Sequence, residues 1–93
     1  MTKKLFDDGS SVEWVDKETL NYSEHGFSVL VRVDFFRESF FKYGRVIKAS
    51  SIIEWNVYPE SASKIIDESK RVEIIDKLKA YYKDLNIKCR VEP

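Results

Sequence analysis

Ninety-three residues match the size of one domain and leave no room for a second hydrophobic core. With 43% hydrophobic and 14% aromatic residues, the chain has the material for a compact interior, which excludes an intrinsically disordered protein. Its 16 Lys and Arg balance 16 Asp and Glu, so no global field draws it to nucleic acid or to an anionic membrane, and any electrostatic role has to be local.

Cys89 is alone, which excludes a disulfide within the chain and gives no sign of an oxidising compartment. The opening stretch from Met1 to Asp8 is basic at Lys3 and Lys4 and acidic at Asp7 and Asp8. It has neither the apolar centre nor the small-residue cleavage site of a signal peptide. No apolar run approaches the roughly 20 residues that span a bilayer as a helix. The expectation is one cytoplasmic domain, residues 1–93, with no membrane segment.

Val12 to Asp16 and Thr19 to Glu24 read as short strands on either side of the polar Lys17-Glu18, with Trp14 and Tyr22 as their large side chains. His25-Gly26 suits a two-residue hairpin turn, because glycine accepts positive φ and histidine visits that region more readily than most residues. The next run puts Phe27, Val29, Val31, Val33 and Phe35 on one parity and Ser28, Arg32 and Asp34 on the other, which predicts a strand with one buried face. From Arg37 to Gly44 the alternation is interrupted. It resumes from Arg45 to Val57 as one long strand, with Ile47, Ala49, Ile53, Trp55 and Val57 facing the same core, a bend at Ser50-Ser51, and Pro59 as its stop. Two of the three glycines lie between strand-like runs, where the chain has to reverse.

The polar run Glu60 to Ser63 reads as a loop, and Asp67 is placed to cap a helix by accepting from an amide of its first turn. Val72, Ile75, Leu78, Tyr82 and Leu85 recur at helical spacing, with Lys70, Glu73, Lys77, Lys79 and Lys83 elsewhere on the wheel. This predicts an amphipathic helix of about five turns. Asn86 tolerates the left-handed conformation that ends helices, and Ile87, Cys89 and Val91 then alternate with Lys88, Arg90 and Glu92 as a closing strand. The predicted class is α+β: a mostly antiparallel sheet of four to five strands in the order β-β-β-β-α-β, with the helix across one face and the spatial strand order open.

Chemistry is sparse along this chain. His25 is the only histidine; as a turn residue near Ser23 it lacks both an orienting acid and an oxyanion site, so no nucleophile–base pair is predicted. One His and one distant Cys are too few for a zinc site, and no metal is expected. Cys89 shares parity with Ile87 and Val91 and reads as a small buried hydrophobe. The acid pairs Asp7-Asp8 and Asp67-Glu68 read as a solvated turn and a helix start. Glycine-rich phosphate loops are absent. The expectation is a protein that is not an enzyme and carries no cofactor.

The segment from Arg37 to Arg45 is the exception. Phe40, Phe41 and Tyr43 are crowded among Arg37, Lys42 and Arg45 in a connection between strands. Such a segment can anchor a protein partner, since aromatics and Arg are enriched at interface hot spots. It can also close the end of the core beneath the helix. A third reading, a single-strand nucleic-acid binder with stacked bases and tracked phosphates, is disfavoured by zero net charge and by the missing Lys/Arg-Gly-aromatic signature on the preceding strand. The candidate partner-binding residues are therefore Arg37, Phe40, Phe41, Tyr43 and Arg45. Charge is locally uneven around them: residues 1–24 hold six acids and three bases, residues 25–48 five bases and two acids. Such asymmetry orients a charged partner more than it tightens binding.

A tyrosine-bearing hairpin around Tyr22 comes first, followed by Ser51-Ile52-Ile53-Glu54-Trp55, Pro59, a helix opened by Ile66-Asp67-Glu68 and continued by Ile74-Ile75, and the closing Ile87-Lys88-Cys89-Arg90-Val91. This succession resembles the small immunity proteins of bacterial polymorphic toxin systems, over roughly Val12 to Val91. The resemblance implies a cytoplasmic protein that binds a cognate toxin domain and blocks it without chemistry of its own. An interaction module that pairs with another chain through an exposed sheet edge or through the aromatic segment, a homodimer included, is the alternative.

Overall fold

A computed structural model describes residues 3–93; Met1 and Thr2, the first residues of the stretch read as carrying no signal peptide, lie outside them. Strands β1 (Lys3–Leu5), β2 (Ser11–Asp16), β3 (Thr19–Glu24), β4 (Phe27–Ser39), β5 (Lys42–Lys48) and β6 (Cys89–Glu92) form one sheet whose spatial order is their sequence order. The first four pairings are antiparallel. The last, β5 with β6, is parallel, because the helix α1 (Glu68–Asp84) carries the chain back before β6 begins. The class is the expected one, α+β with a mostly antiparallel sheet and a helix over one face. The sheet has one strand more than expected because Lys3–Leu5 pairs with β2.

Local chemistry places the reversals. His25 (φ 44) and Gly26 (φ 88) both take positive φ between β3 and β4, the conformation that matches the twist of a tight hairpin. Asp67 caps α1 by accepting from the Lys70 amide at 2.8 Å, and Asn86 ends it at φ 58. Cross-strand neighbours Val12, Tyr22 and Val29, then Leu20 and Val31, then Val33 and Ile47, line one face of the sheet and are buried under Ile74, Leu78, Tyr81 and Tyr82 of α1. Cys89 and Ile87 pack against this core from its margin.

Four expectations need correction. The run from Arg45 to Val57 is not one strand: β5 ends at Lys48, and a 3-10 turn at Ala49–Ser51, close to the predicted Ser50-Ser51 bend, ends the alternation. Beyond it Ile52 and Trp55, three residues apart, are buried, while Ile53 and Val57 are exposed. Trp55 still fills the core, with its ring 6.3 Å from Tyr22 and 5.0 Å from Phe27. The helix stripe is rotated: Ile74 and Tyr81 face the sheet, whereas Val72 and Leu85 face outward. Phe35 shares the parity of Val33 but is 40% exposed, because β4 runs on past the part of the sheet that α1 covers. Gly44 does not turn the chain. It sits inside β5 opposite Phe36, where a Cβ would meet Phe36 at 2.2 Å and the Lys88 carbonyl at 2.9 Å.

A polar seam joins the helix to the first strands. Lys77 Nζ donates to Ser10 Oγ (2.8 Å), to Tyr22 Oη (3.3 Å) and to Asp8 and Glu73; Lys70 Nζ donates to Glu24 and Glu73. Tyr22 Oη donates in turn to Glu24 at 2.6 Å. The hydrogen bond from Lys77, then those from Ser10, hold the Asp8 carboxyl well below its ordinary range. Burial pulls the Lys77 ammonium downward, but its bonds to Asp8 and Glu73 outweigh that, so its pKa ends above the ordinary value. Among the described residues no helix is long and apolar enough to cross a membrane.

Candidate functional site

The predicted partner-binding residues lie together on the hairpin made by the second half of β4 and the first half of β5. β4 has 13 residues, about 43 Å at the rise of a strand, and it serves two neighbours in turn. Its first half pairs with β3 from Phe27 to Arg32, and its second half pairs with β5 from Val33 onward. Past that change of partner neither β3 nor α1 accompanies it. The hairpin is one reason why the molecule measures 49 Å along its long axis against 26 and 21 Å across.

Side-chain alternation then sorts the segment by face. Phe35 stands opposite Arg45 and Arg37 opposite Tyr43, on the face that carries Val29, Val31 and Val33 nearer the core. The Arg45 guanidinium lies 4.4 Å from the centre of the Phe35 ring, and that of Arg37 lies 5.2 Å from Phe40. Arg37 also donates to the Phe40 carbonyl at 3.2 Å, which fixes the turn. At the tip, Phe40 and Phe41 pack edge to face at 4.8 Å yet remain 74% and 89% exposed. These are large apolar surfaces left in water at the end of a braced ribbon. Neither closes the core, so that reading of the segment is set aside.

The opposite face is better covered. The Phe36 ring sits over Gly44, with the Arg90 guanidinium 3.9 Å from its centre. Glu38 is held 3.7 Å from Lys88 Nζ and has one buried carboxylate oxygen with no hydrogen-bond partner. Between the hairpin and the segment leading from α1 into β6 lies a crevice of about 330 Å³, lined by Lys42, Lys79, Lys83 and Lys88. A second hollow of about 290 Å³, at the C-terminal end of α1, is lined by Trp14, Arg45, Tyr81 and Tyr82. There burial pushes the Tyr82 phenol upward, opposed by the positive charge of Arg45. Burial likewise raises the Cys89 thiol, opposed by Lys79, so it stays protonated and unreactive near neutral pH.

Ion pairs engage some cations and leave others without one. In and near the helix–sheet seam and along the body, Lys4, Lys48, Lys64, Lys70, Arg71 and Lys77 each meet a carboxylate, and Lys88, beside the hairpin, meets Glu38. Arg37, Lys42, Arg45, Lys79, Lys83 and Arg90, grouped around the hairpin, make no ion pair among the described residues, and neither do Lys3, Lys17 and Arg32 outside it. The five residues named from sequence lie together on this hairpin; Phe35, read as core, is exposed beside them, and the fold brings Lys79 and Lys83 near Lys42. His25 lies in its turn, and its ring is 3.5 Å from the Cβ position of Gly9. No group of three or more His, Cys, Asp or Glu among the described residues is arranged to hold a metal ion. Comparisons with protein-family models, with curated proteins and with solved structures returned no match.

Proposed function

We propose that this chain is a protein-binding inhibitor without catalysis of its own, an immunity protein that grips a toxin domain through the β4–β5 hairpin and blocks it. The observation that carries the reading is the tip: Phe40 and Phe41, both largely in water, on a two-stranded ribbon whose backbone is fixed by pairing and by Arg37. Exposed aromatics held rigid in advance lose little entropy on docking and bury a large apolar area, the usual character of an interface hot spot. The polar groups of the helix–sheet seam, Lys77, Lys70, Tyr22, Ser10 and their acids, bond to one another.

Co-expression with a toxin domain encoded by a neighbouring gene tests this directly. The expected result is protection of growth and a complex that survives gel filtration. Replacing Phe40 and Phe41 by alanine is expected to weaken that complex at least about thirtyfold, the equivalent of one hot spot of 2 kcal/mol. Absence of both protection and complex contradicts the proposal.

A further inference from the structure

The hairpin offers more than side chains. The Val33 amide donates to the Glu18 carbonyl on the β3 side of β4, and the Arg45 amide donates to the Lys88 carbonyl on the far side of β5. Strand alternation then directs the main-chain groups of Phe35 and Arg37 away from β5, toward the side where β3 has already ended. Among the described residues no strand lies there. From Phe35 to Arg37, short of the irregularity where Ser39 pairs with Lys42, β4 thus presents a free edge, its donors and acceptors spaced at the repeat of a polypeptide strand.

Resting on the reading of the hairpin as a protein-binding element, we propose that this free edge receives an extended, acidic segment of the partner, which adds a strand to the sheet beside β4. Two observations select this occupant. The edge geometry matches a polypeptide, whose amides and carbonyls alternate at the same spacing, and does not match the phosphate repeat of a nucleic acid. The charges on this part of the hairpin are the Arg37 and Arg45 guanidiniums, neither of which makes an ion pair among the described residues, while the hairpin's own acids are engaged, Asp34 with Lys48 and Glu38 with Lys88. Carboxylates on alternate residues of an incoming strand would face Arg37 and Arg45, with Phe35 between them. A second copy of this chain is disfavoured by the same charges, because pairing two such edges gathers the arginines of both hairpins. For a toxin inhibitor, the consequence is a partner whose contact surface is acidic, unlike the cationic groove of a nuclease.

The probe is a short capped peptide alternating valine with glutamate, titrated into the full-length protein and followed by NMR shifts and amide hydrogen exchange. A lysine-for-glutamate peptide and a short oligothymidylate are run beside it. The expected result is slowed exchange at the Phe35 and Arg37 amides with the glutamate peptide alone, weakening as salt is added. Arg37→Pro, which removes an outward amide together with the Arg37 charge and its bond to the Phe40 carbonyl, is expected to weaken it at least about tenfold and more than Arg37→Gln, which keeps the amide. Arg37→Glu keeps the amide and is expected to shift preference to the lysine peptide. Equal response to both peptides, binding of the oligonucleotide in their place, or protection of these amides by self-association as protein concentration rises would each overturn the proposal. If Arg37→Pro binds the toxin domain as the wild type does while Phe40→Ala/Phe41→Ala does not, the hairpin reading stands and the strand-addition inference falls. If the glutamate peptide protects the edge but no toxin complex forms, the immunity reading is the one that fails.

Discussion

Trp55 and Phe41 are both large aromatics, and the fold gives them opposite work. Trp55 is 7% exposed and stacks with Tyr22 and Phe27, so Trp55→Ala is expected to cost about 3–5 kcal/mol by urea denaturation, the transfer term plus the cavity left behind. Phe41→Ala removes a ring that touches little besides Phe40. It should leave the melting temperature nearly unchanged while weakening partner binding. If Phe41→Ala destabilises as much as Trp55→Ala, the tip is part of the core. Gly44 makes a third case at this scale. Its added methyl in Gly44→Ala meets a ring that can swing aside and a Lys88 carbonyl that cannot, because that carbonyl accepts the Arg45 amide at 2.9 Å. A loss of about 1–3 kcal/mol is expected, with faster exchange at the Arg45 amide as β6 loosens from β5.

Among the elements, how much was legible depended on whether a local rule survived the packing. The β3–β4 hairpin followed from His25-Gly26, and the ends of α1 followed from Asp67 and Asn86, since turn and cap chemistry act over a few residues. The segment after Lys48 did not follow. One 3-10 turn changes which side chains face inward, and period-2 counting across Ser50-Ser51 cannot register it. The helix stripe was misjudged by about one position because Ile74 and Ile75 are adjacent and either can face a sheet; the fold selects Ile74. Ile74→Ala is therefore expected to cost about 2–5 kcal/mol, against at most about 0.5 for Val72→Ala, a contrast that thermal denaturation of the two variants resolves. The candidate site was legible as composition, aromatics among cations from Arg37 to Arg45, but not as geometry. That β4 outlives its partner β3 is a matter of relative strand lengths, which the hydropathy pattern of either strand alone does not reveal.

For the whole molecule, the contrast lies between a body held by the polar helix–sheet seam and a hairpin whose Arg37 and Arg45 make no ion pair among the described residues. In the body, Asp8 and Glu73 have carboxyl groups lowered chiefly by hydrogen bonds, from Lys77 and Lys70 respectively. A carboxyl lowered in the folded state binds protons less readily there than in the unfolded chain. Its contribution to stability is thus complete above the ordinary values of 3.8 and 4.5 and is lost as pH falls through the lowered ones. Lys77 carries the opposite sign: raised above 10.5 in the folded state, it contributes below that pH and loses its contribution as pH rises past it. Urea midpoints should therefore be flat through neutrality and decline at both extremes, with the acid limb shallower in Asp8→Asn. An acid limb unchanged by that substitution would remove the seam from the account. The central proposal, that the hairpin is the binding element and the body its support, is tested most directly by amide hydrogen exchange on the free protein and on its complex with the proposed toxin partner. The account predicts new protection concentrated at Phe35 to Arg45, with the core strands unchanged. Protection falling on the outer face of α1 or on β1, with the hairpin still exchanging freely, would contradict it.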